Sequence, residues 1–308
     1  MKCCNIVAVL GLLLGCGAKD PSRGARADLL QTEWDICKQN EKLESLGDVE
    51  ICYSRLCDPP HSFHRACLSE IKWLLKNHQS DKARLLAREF IEQYPDSAHA
   101  QSAVKKLATS FLIANQVEEG IVVFRGVEQK VAGREVHDTV LWALAGLHRE
   151  LDQQLEEEQT LRVIIEKFDR WTSQLYDDAL WRLGQIMQNA GRQNDEKVLL
   201  EQFVGTRESS WIIGSYNSPY LDDALLRLGE IALERKQWGP AAKYFLELSE
   251  LESSRLRDEA LVGSARVRFA NGQIEKGCAL LNQVQTIPAA SARKEALALA
   301  RSKECFPR

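Results

Sequence analysis

The chain has 308 residues, with 40 Lys and Arg against 44 Asp and Glu, 44% hydrophobic residues and nine cysteines. The apolar share suits a core of one or two domains and excludes wholesale disorder, while a net charge of −4 leaves no basic surplus for nucleic acid as a partner. Leu and Ala, both strong helix formers, dominate and argue against an all-β fold. Residues 1–15 read as an export signal: Lys2 gives a positive start, Ile6 to Leu14 an apolar run, and Gly15 a small residue before a cleavage point. The run falls well short of the ~20 residues a membrane span requires.

That run ends in Leu13-Leu14-Gly15-Cys16, which resembles the lipobox of bacterial lipoproteins. The resemblance implies that Cys16 becomes the first residue of the exported chain, diacylated and then N-acylated. It also implies, from Gly17 at the next position, sorting to the outer membrane with the body facing the periplasm. Several acyl chains anchor stably where one does not. Residues 16–27 are small, charged and chain-breaking, and read as a lipidated tether reaching at most ~40 Å. The acidic balance leaves the lipid, not surface charge, as the attachment to the membrane.

Removing Cys3 and Cys4 with the signal and assigning Cys16 to lipid leaves Cys37, Cys52, Cys57, Cys67, Cys278 and Cys305. An even set in an oxidising compartment suggests three disulfides. Segment 28–62 is expected to form a disulfide-linked helical hairpin, with short helices around Leu46-Gly47 and another after Pro59-Pro60. Cys37 and Cys57 lie equidistant from Gly47, and Cys52 and Cys67 lie about Pro59-Pro60. Antiparallel helices bring such positions side by side, so Cys37–Cys57 and Cys52–Cys67 are the expected bonds, with Cys278–Cys305 across the turn near Pro288. Cys37–Cys52 with Cys57–Cys67 is the competing arrangement. Cys57, His61, His64 and Cys67 would also suit a tetrahedral zinc ion, but their spacing matches no strong zinc pattern, so neither a metal nor another cofactor is expected.

Residues 63–290 carry self-similarity. Leu225, Leu228, Gly229, Ala232, Trp238, Ala241, Phe245 and Leu248 put an apolar stripe on one helix and alternate small and bulky residues on the next. This order resembles the tetratricopeptide repeat. Copies follow at Leu261–Val284 and precede at Leu180–Phe203, Leu141–Ile164 and Val104–Val127, with a further partial copy at Ile71–Phe90. The fold expected is all-α, a tetratricopeptide-like solenoid of about six helix pairs, right-handed with a concave face. Glu157 and Glu196 stand where the second helix wants a small residue, so those two units are expected to pack loosely or shift register. Trp142, Trp181 and Trp238 fall at repeat-core positions. Tyr94-Pro95-Asp96-Ser97 resembles the inter-repeat turn of periplasmic tetratricopeptide lipoproteins, such as those of β-barrel assembly and of the Tol–Pal system. Residues 291–308 read as a capping helix.

No phosphate loop, nucleophile elbow or HExxH motif is present. Asp177-Asp178 and Asp222-Asp223 recur at one repeat position, where acidic residues complement a helix dipole, so no catalytic role follows. His99, His137 and His148 read as surface or packing residues. Segment 208–220, rich in Ser and aromatic residues, is a candidate binding loop through Trp211, Tyr216 and Tyr220, or a loop packed on its neighbours. The function expected is a non-enzymatic protein–protein scaffold in a cell-envelope assembly, for outer-membrane biogenesis, division, secretion or motility. The alternative is a glycan or peptidoglycan module stacking on the aromatic loop.

Overall fold

The structure, a computed structural model, describes residues 21–42, 46–57, 64–205, 209–210, 214–215, 218–251 and 254–305. The signal, Cys16, the start of the tether and His61 lie outside the described residues. Helices α1 (Pro21–Lys42) and α2 (Leu46–Cys57) lead into six consecutive pairs. These are α3 (His64–Lys76) with α4 (Ser80–Gln93), α5 (Ala100–Ile113) with α6 (Val117–Val131), and α7 (His137–Glu150) followed by α8 (Gln154–Lys167). Next come α9 (Tyr176–Asn189) with α10 (Gln193–Gly205), α11 (Leu221–Glu234) with α12 (Trp238–Glu250), and α13 (Arg257–Ala270) with α14 (Ile274–Thr286). Helix α15 (Arg293–Ser302) closes the chain, and a two-residue antiparallel ladder, β1 (Ser209–Ser210) with β2 (Gly214–Ser215), precedes α11. The chain forms two compact units that divide between Leu151 and Asp152.

Two recurring turns set these boundaries. Within a pair, one residue takes a left-handed backbone: His78, Asn115, Gly191, Lys236 and Gly272 have φ of 60, 54, 67, 57 and 72°. The next residue then donates its N–H to the carbonyl five positions back, as in Gln116 to Phe111 at 2.9 Å and Gln237 to Ala232 at 2.8 Å. This closure satisfies helix-end carbonyls that would otherwise be orphaned. Between pairs, Ser97, Ser173, Ser218 and Ser254 each accept the backbone N–H two residues on, at 3.2, 3.0, 3.3 and 3.1 Å. A hydroxyl thus holds each entry into a first helix.

In the N-terminal unit, Phe90, Phe111 and Phe124 are buried with Val104, Leu107 and Val127. Cys37, Tyr53, Leu56, Trp73 and Leu74 form a second cluster that joins the leading hairpin to the first repeat. In the C-terminal unit, Phe245 fills the space between α11 and α13. A Cβ built at Gly229 or Gly263 would lie 2.5 or 2.4 Å from its ring, so both positions need glycine for the close approach. Helix α15 repeats the start of α13, Arg-Lys-Glu-Ala-Leu against Arg-Asp-Glu-Ala-Leu, and ends with the same closure, Cys305 N–H to Ala300 at 2.9 Å. Cys305 stands where Gln79, Gln116, Gln237 and Gln273 stand at four of the other closures.

Three expectations are corrected. The disulfides join Cys37 to Cys52 and Cys57 to Cys67, with Cα separations of 5.6 and 4.7 Å, and not Cys37–Cys57 and Cys52–Cys67. Leu46-Gly47 already belongs to α2 while α1 ends at Lys42, so Gly47 is not the point of symmetry, and Cys37, five residues before the end of α1, meets Cys52, six residues after the start of α2. Cys57 then faces Cys67 across the next link, while Cys278 and Cys305 are bonded at 5.3 Å. With Cys57 and Cys67 bonded to each other, their thiolates are not offered to zinc. Second, α1 runs through 21–27, the latter part of the expected tether, because Pro21 suits a first helical turn and the Arg and Ala residues after it favour helix. Third, Glu157 and Glu196 do not loosen their units. Each is only 2% exposed and forms a two-pronged ion pair with an arginine of the following helix.

Candidate functional site

The first helices of the N-terminal unit present side chains at three- and four-residue spacing to a common groove of about 710 Å³. Trp34 and Lys38 come from α1, Arg65, Leu68, Ser69, Lys72 and Leu75 from α3, and Ser102, Lys105, Lys106 and Thr109 from α5, with His99 just before it. Every charged residue in this lining is basic, in a chain whose net charge is −4. Lys38 is held by Glu41 at 2.7 Å, and Arg65 packs its guanidinium 4.0 Å from the centre of the Trp34 ring. Lys72, Lys105 and Lys106 have no ion-pair partner among the described residues. His64 hydrogen-bonds Ser97 at 2.9 Å and lies 4.3 Å from Tyr94; burial, then the neighbouring His99, pushes its pKa down.

The groove continues between α5 and α7 as a recess of about 350 Å³, sharing Lys105 and Thr109 with the basic part. It is lined by the small residues Ala108, Ala143 and Gly146, by Leu112 and Trp142, and at the end of α7 by Arg149 and Glu150. A Cβ at Gly146 would meet nothing within 4 Å, so the recess is open over this residue. Trp142 is therefore half-exposed in the groove and not a core residue as its repeat position suggested, and Arg149 sits 5.8 Å from its ring centre. Trp181 and Trp238 are also half-buried, whereas Trp73 is buried.

The C-terminal unit treats the corresponding positions differently. Arg182 of α9 donates to Glu157 at 2.8 and 3.0 Å, and Arg227 of α11 donates to Glu196 at 2.7 and 3.2 Å. The bond to Glu196 raises the Arg227 pKa further above its ordinary range, against the effect of burial. Arg227 also meets Glu230 at 3.2 Å and Glu234 at 3.5 Å. Cations on this face are committed to carboxylates of the same unit.

Of the predicted loop residues, Trp211 and Tyr216 lie outside the described residues. Tyr220 stacks on Trp181 at 5.2 Å and 9° between planes, with Phe203 edge-on at 6.1 Å, and its hydroxyl donates to Asp178. Burial, then that carboxylate, raises its pKa to about 12. Tyr220 thus pins the end of the loop to α9, and one ring face is already used, which removes it as a free stacking platform. The paired carboxylates serve helix starts and turns: Asp223 binds Arg255 at 3.1 Å and Asp178 binds Tyr220. His137 is buried against Glu128 at 3.0 Å and His148 is buried, while His99 lines the groove. Among the described residues no group of three or more His, Cys, Asp or Glu is placed to hold a metal ion.

No protein-family model matches the chain, and no curated protein matches it. Solved structures do. A tetratricopeptide repeat protein from Parabacteroides merdae is 14% identical, over 78% of this chain and 88% of that one, with a TM-score of 0.40. YrrB, described as a tetratricopeptide protein with an unusual peptide-binding site, is 12% identical over 70% and 97%, with a TM-score of 0.46. PilF of Pseudomonas aeruginosa is 16% identical over 76% and 96%, with a TM-score of 0.43.

Proposed function

We propose that the chain is a lipid-anchored, non-enzymatic scaffold at the periplasmic face of the outer membrane, docking a protein partner in the groove of its N-terminal unit as part of a cell-envelope assembly. The observation that carries this reading is the continuous groove, about 710 Å³ opening into about 350 Å³, lined by side chains of successive first helices. A recessed surface mixing apolar walls, an exposed tryptophan and unpaired cations is what a polypeptide ligand needs for burial and orientation. Leu13-Leu14-Gly15-Cys16 supports attachment through lipid, and no helix among the described residues is long and apolar enough to cross a membrane.

The test uses the full-length chain in cells, with a photo-crosslinking residue at Thr109 in the groove or at Val122, which is 71% exposed on α6. The expected result is one discrete adduct from Thr109, lost when Gly146→Leu fills the recess, and none from Val122. Equal labelling from both positions, or no adduct from Thr109 under several growth conditions, overturns the docking reading. Cys16→Ser separately tests the anchor: the chain should leave the membrane fraction and lose incorporation of labelled palmitate.

A further inference from the structure

We propose that the groove selects an extended acidic segment carrying one bulky apolar residue at the end that meets α7. This rests on the docking reading above and names the chemistry of the partner. The basic part gathers Lys72, Lys105 and Lys106 without a carboxylate among its lining residues, and none of the three has an ion-pair partner among the described residues. Elsewhere in this acidic chain arginines and lysines find carboxylates nearby, as Lys130 does at Glu92 and Arg192 at Glu158. Three cations left uncompensated side by side repel one another, and an incoming run of Asp or Glu relieves that repulsion while fixing register along the groove.

The α5–α7 recess adds the second requirement. Ala108, Ala143 and Gly146 line it with small residues, the space over Gly146 is open, and Leu112, Leu147 and Trp142 add apolar surface, so it suits a Leu- or Phe-sized side chain. The two parts meet at Lys105 and Thr109, which places the apolar anchor directly next to the acidic run. An anionic lipid headgroup would use the cations but has no use for a walled apolar recess a helix further along. The occupant is a polypeptide.

The experiment titrates the full chain, in detergent micelles of neutral charge, with labelled peptides of ~10 residues, about 35 Å when extended. One peptide alternates Glu with Ser and ends in Leu, a second replaces that Leu with Ser, and a third replaces every Glu with Lys. Saturable binding of the first is expected, weakened about tenfold without the Leu, with no saturable binding of the third. Lys72→Glu with Lys105→Glu should weaken the first peptide by at least about tenfold and flatten its dependence on salt. Gly146→Leu introduces a side chain into open space, so it tests the recess without threatening the fold. It should abolish the preference for the Leu-bearing peptide and leave the Leu-less peptide unchanged.

Equal binding of the acidic and basic peptides, an unaltered affinity in the double charge reversal, or no saturable binding of the acidic peptide overturns the proposal. If the basic or a neutral peptide binds and Gly146→Leu blocks it, docking in the groove survives and only the acidic specificity fails. If no peptide binds while vesicles rich in phosphatidylglycerol retain the chain through Lys72 and Lys105, both readings fall together.

Discussion

Lys106, Arg182 and Arg227 occupy one repeat position in three different first helices, two residues beyond Val104, Leu180 and Leu225. What separates them is the residue at the fourth position of the preceding second helix. It is Glu157 before Arg182 and Glu196 before Arg227, but Ala83 before Lys106. In the C-terminal unit, therefore, the cation crosses to a buried carboxylate and becomes part of the joint between helices. In the N-terminal unit there is no carboxylate to cross to, and the lysine turns to the groove. Where both members of this position are small, as with Ala241 and Gly263, the joint is apolar and Phe245 packs against the glycine. One substitution in a second helix thus decides whether the next first helix offers a charge to a partner or spends it on the fold.

The largest effect is expected from breaking the joint. Arg227→Ala leaves Glu196, 2% exposed, without its counter-charge, and removing one member of a buried pair costs on the order of 3 kcal/mol. Arg227 keeps 21% exposure, which places the loss at the low end of that range. Urea denaturation should show this drop. Glu196→Ala combined with Arg227→Ala should recover part of it, because the pair then resembles the apolar joint at Ala241. A double variant no better than the single one would mean that burial of this charged pair is not what costs the single variant its stability.

A smaller loss should follow at the apolar version of the joint. In Gly263→Ala the new Cβ meets Phe245 at 2.4 Å, and Gly229 on the other side, whose own Cβ position is 2.5 Å from the same ring, keeps the ring from retreating. Overpacking of this kind costs ~1–3 kcal/mol, against ~0.5–1 gained by replacing a helical glycine. The net expectation is a loss of about 1–2 kcal/mol in the same urea assay. A neutral or stabilising result would show that the ring has room and that the joint does not depend on glycine.

Much of this architecture is legible in the sequence because burial at three- and four-residue spacing leaves an apolar trace. Leu225, Leu228, Gly229, Ala241 and Phe245 place two helices, and the same template carried backwards finds each pair. The groove leaves no such trace, since Lys72 and Lys105 occupy positions offset from the apolar stripe, where almost any residue is tolerated, and Trp142, placed in the core by its repeat position, is only half-buried. The ion pairs do leave a trace: Glu157 is followed by Arg182 two places past Leu180, and Glu196 by Arg227 two places past Leu225. A charge at a core position resembles a packing defect when the second helix is taken alone, and only the next helix shows its partner. The choice between the two arrangements of the hairpin disulfides turns on a different matter. Symmetry about a turn fixes pairing only when the pivot is known, and Leu46-Gly47 lies inside α2.

The smallest expected effect is the one that separates the two faces most sharply. Lys72→Ala and Lys105→Ala remove exposed cations that make no ion pair among the described residues, so each should change stability by no more than ~0.5 kcal/mol. Removing mutual repulsion leaves room for a slight gain. The chemical change at Arg227 is similar, the loss of one positive side chain from a first helix, yet the expected cost there is several times larger. Parallel urea titrations of the three variants test this directly. Destabilisation of more than about 1 kcal/mol by Lys72→Ala or Lys105→Ala would mean that these lysines hold the N-terminal unit together, as the arginines do in the C-terminal unit. The contrast between an offered and a committed cation would then be lost. Unchanged stability alongside weakened binding of the acidic peptide leaves recognition as what these two lysines contribute.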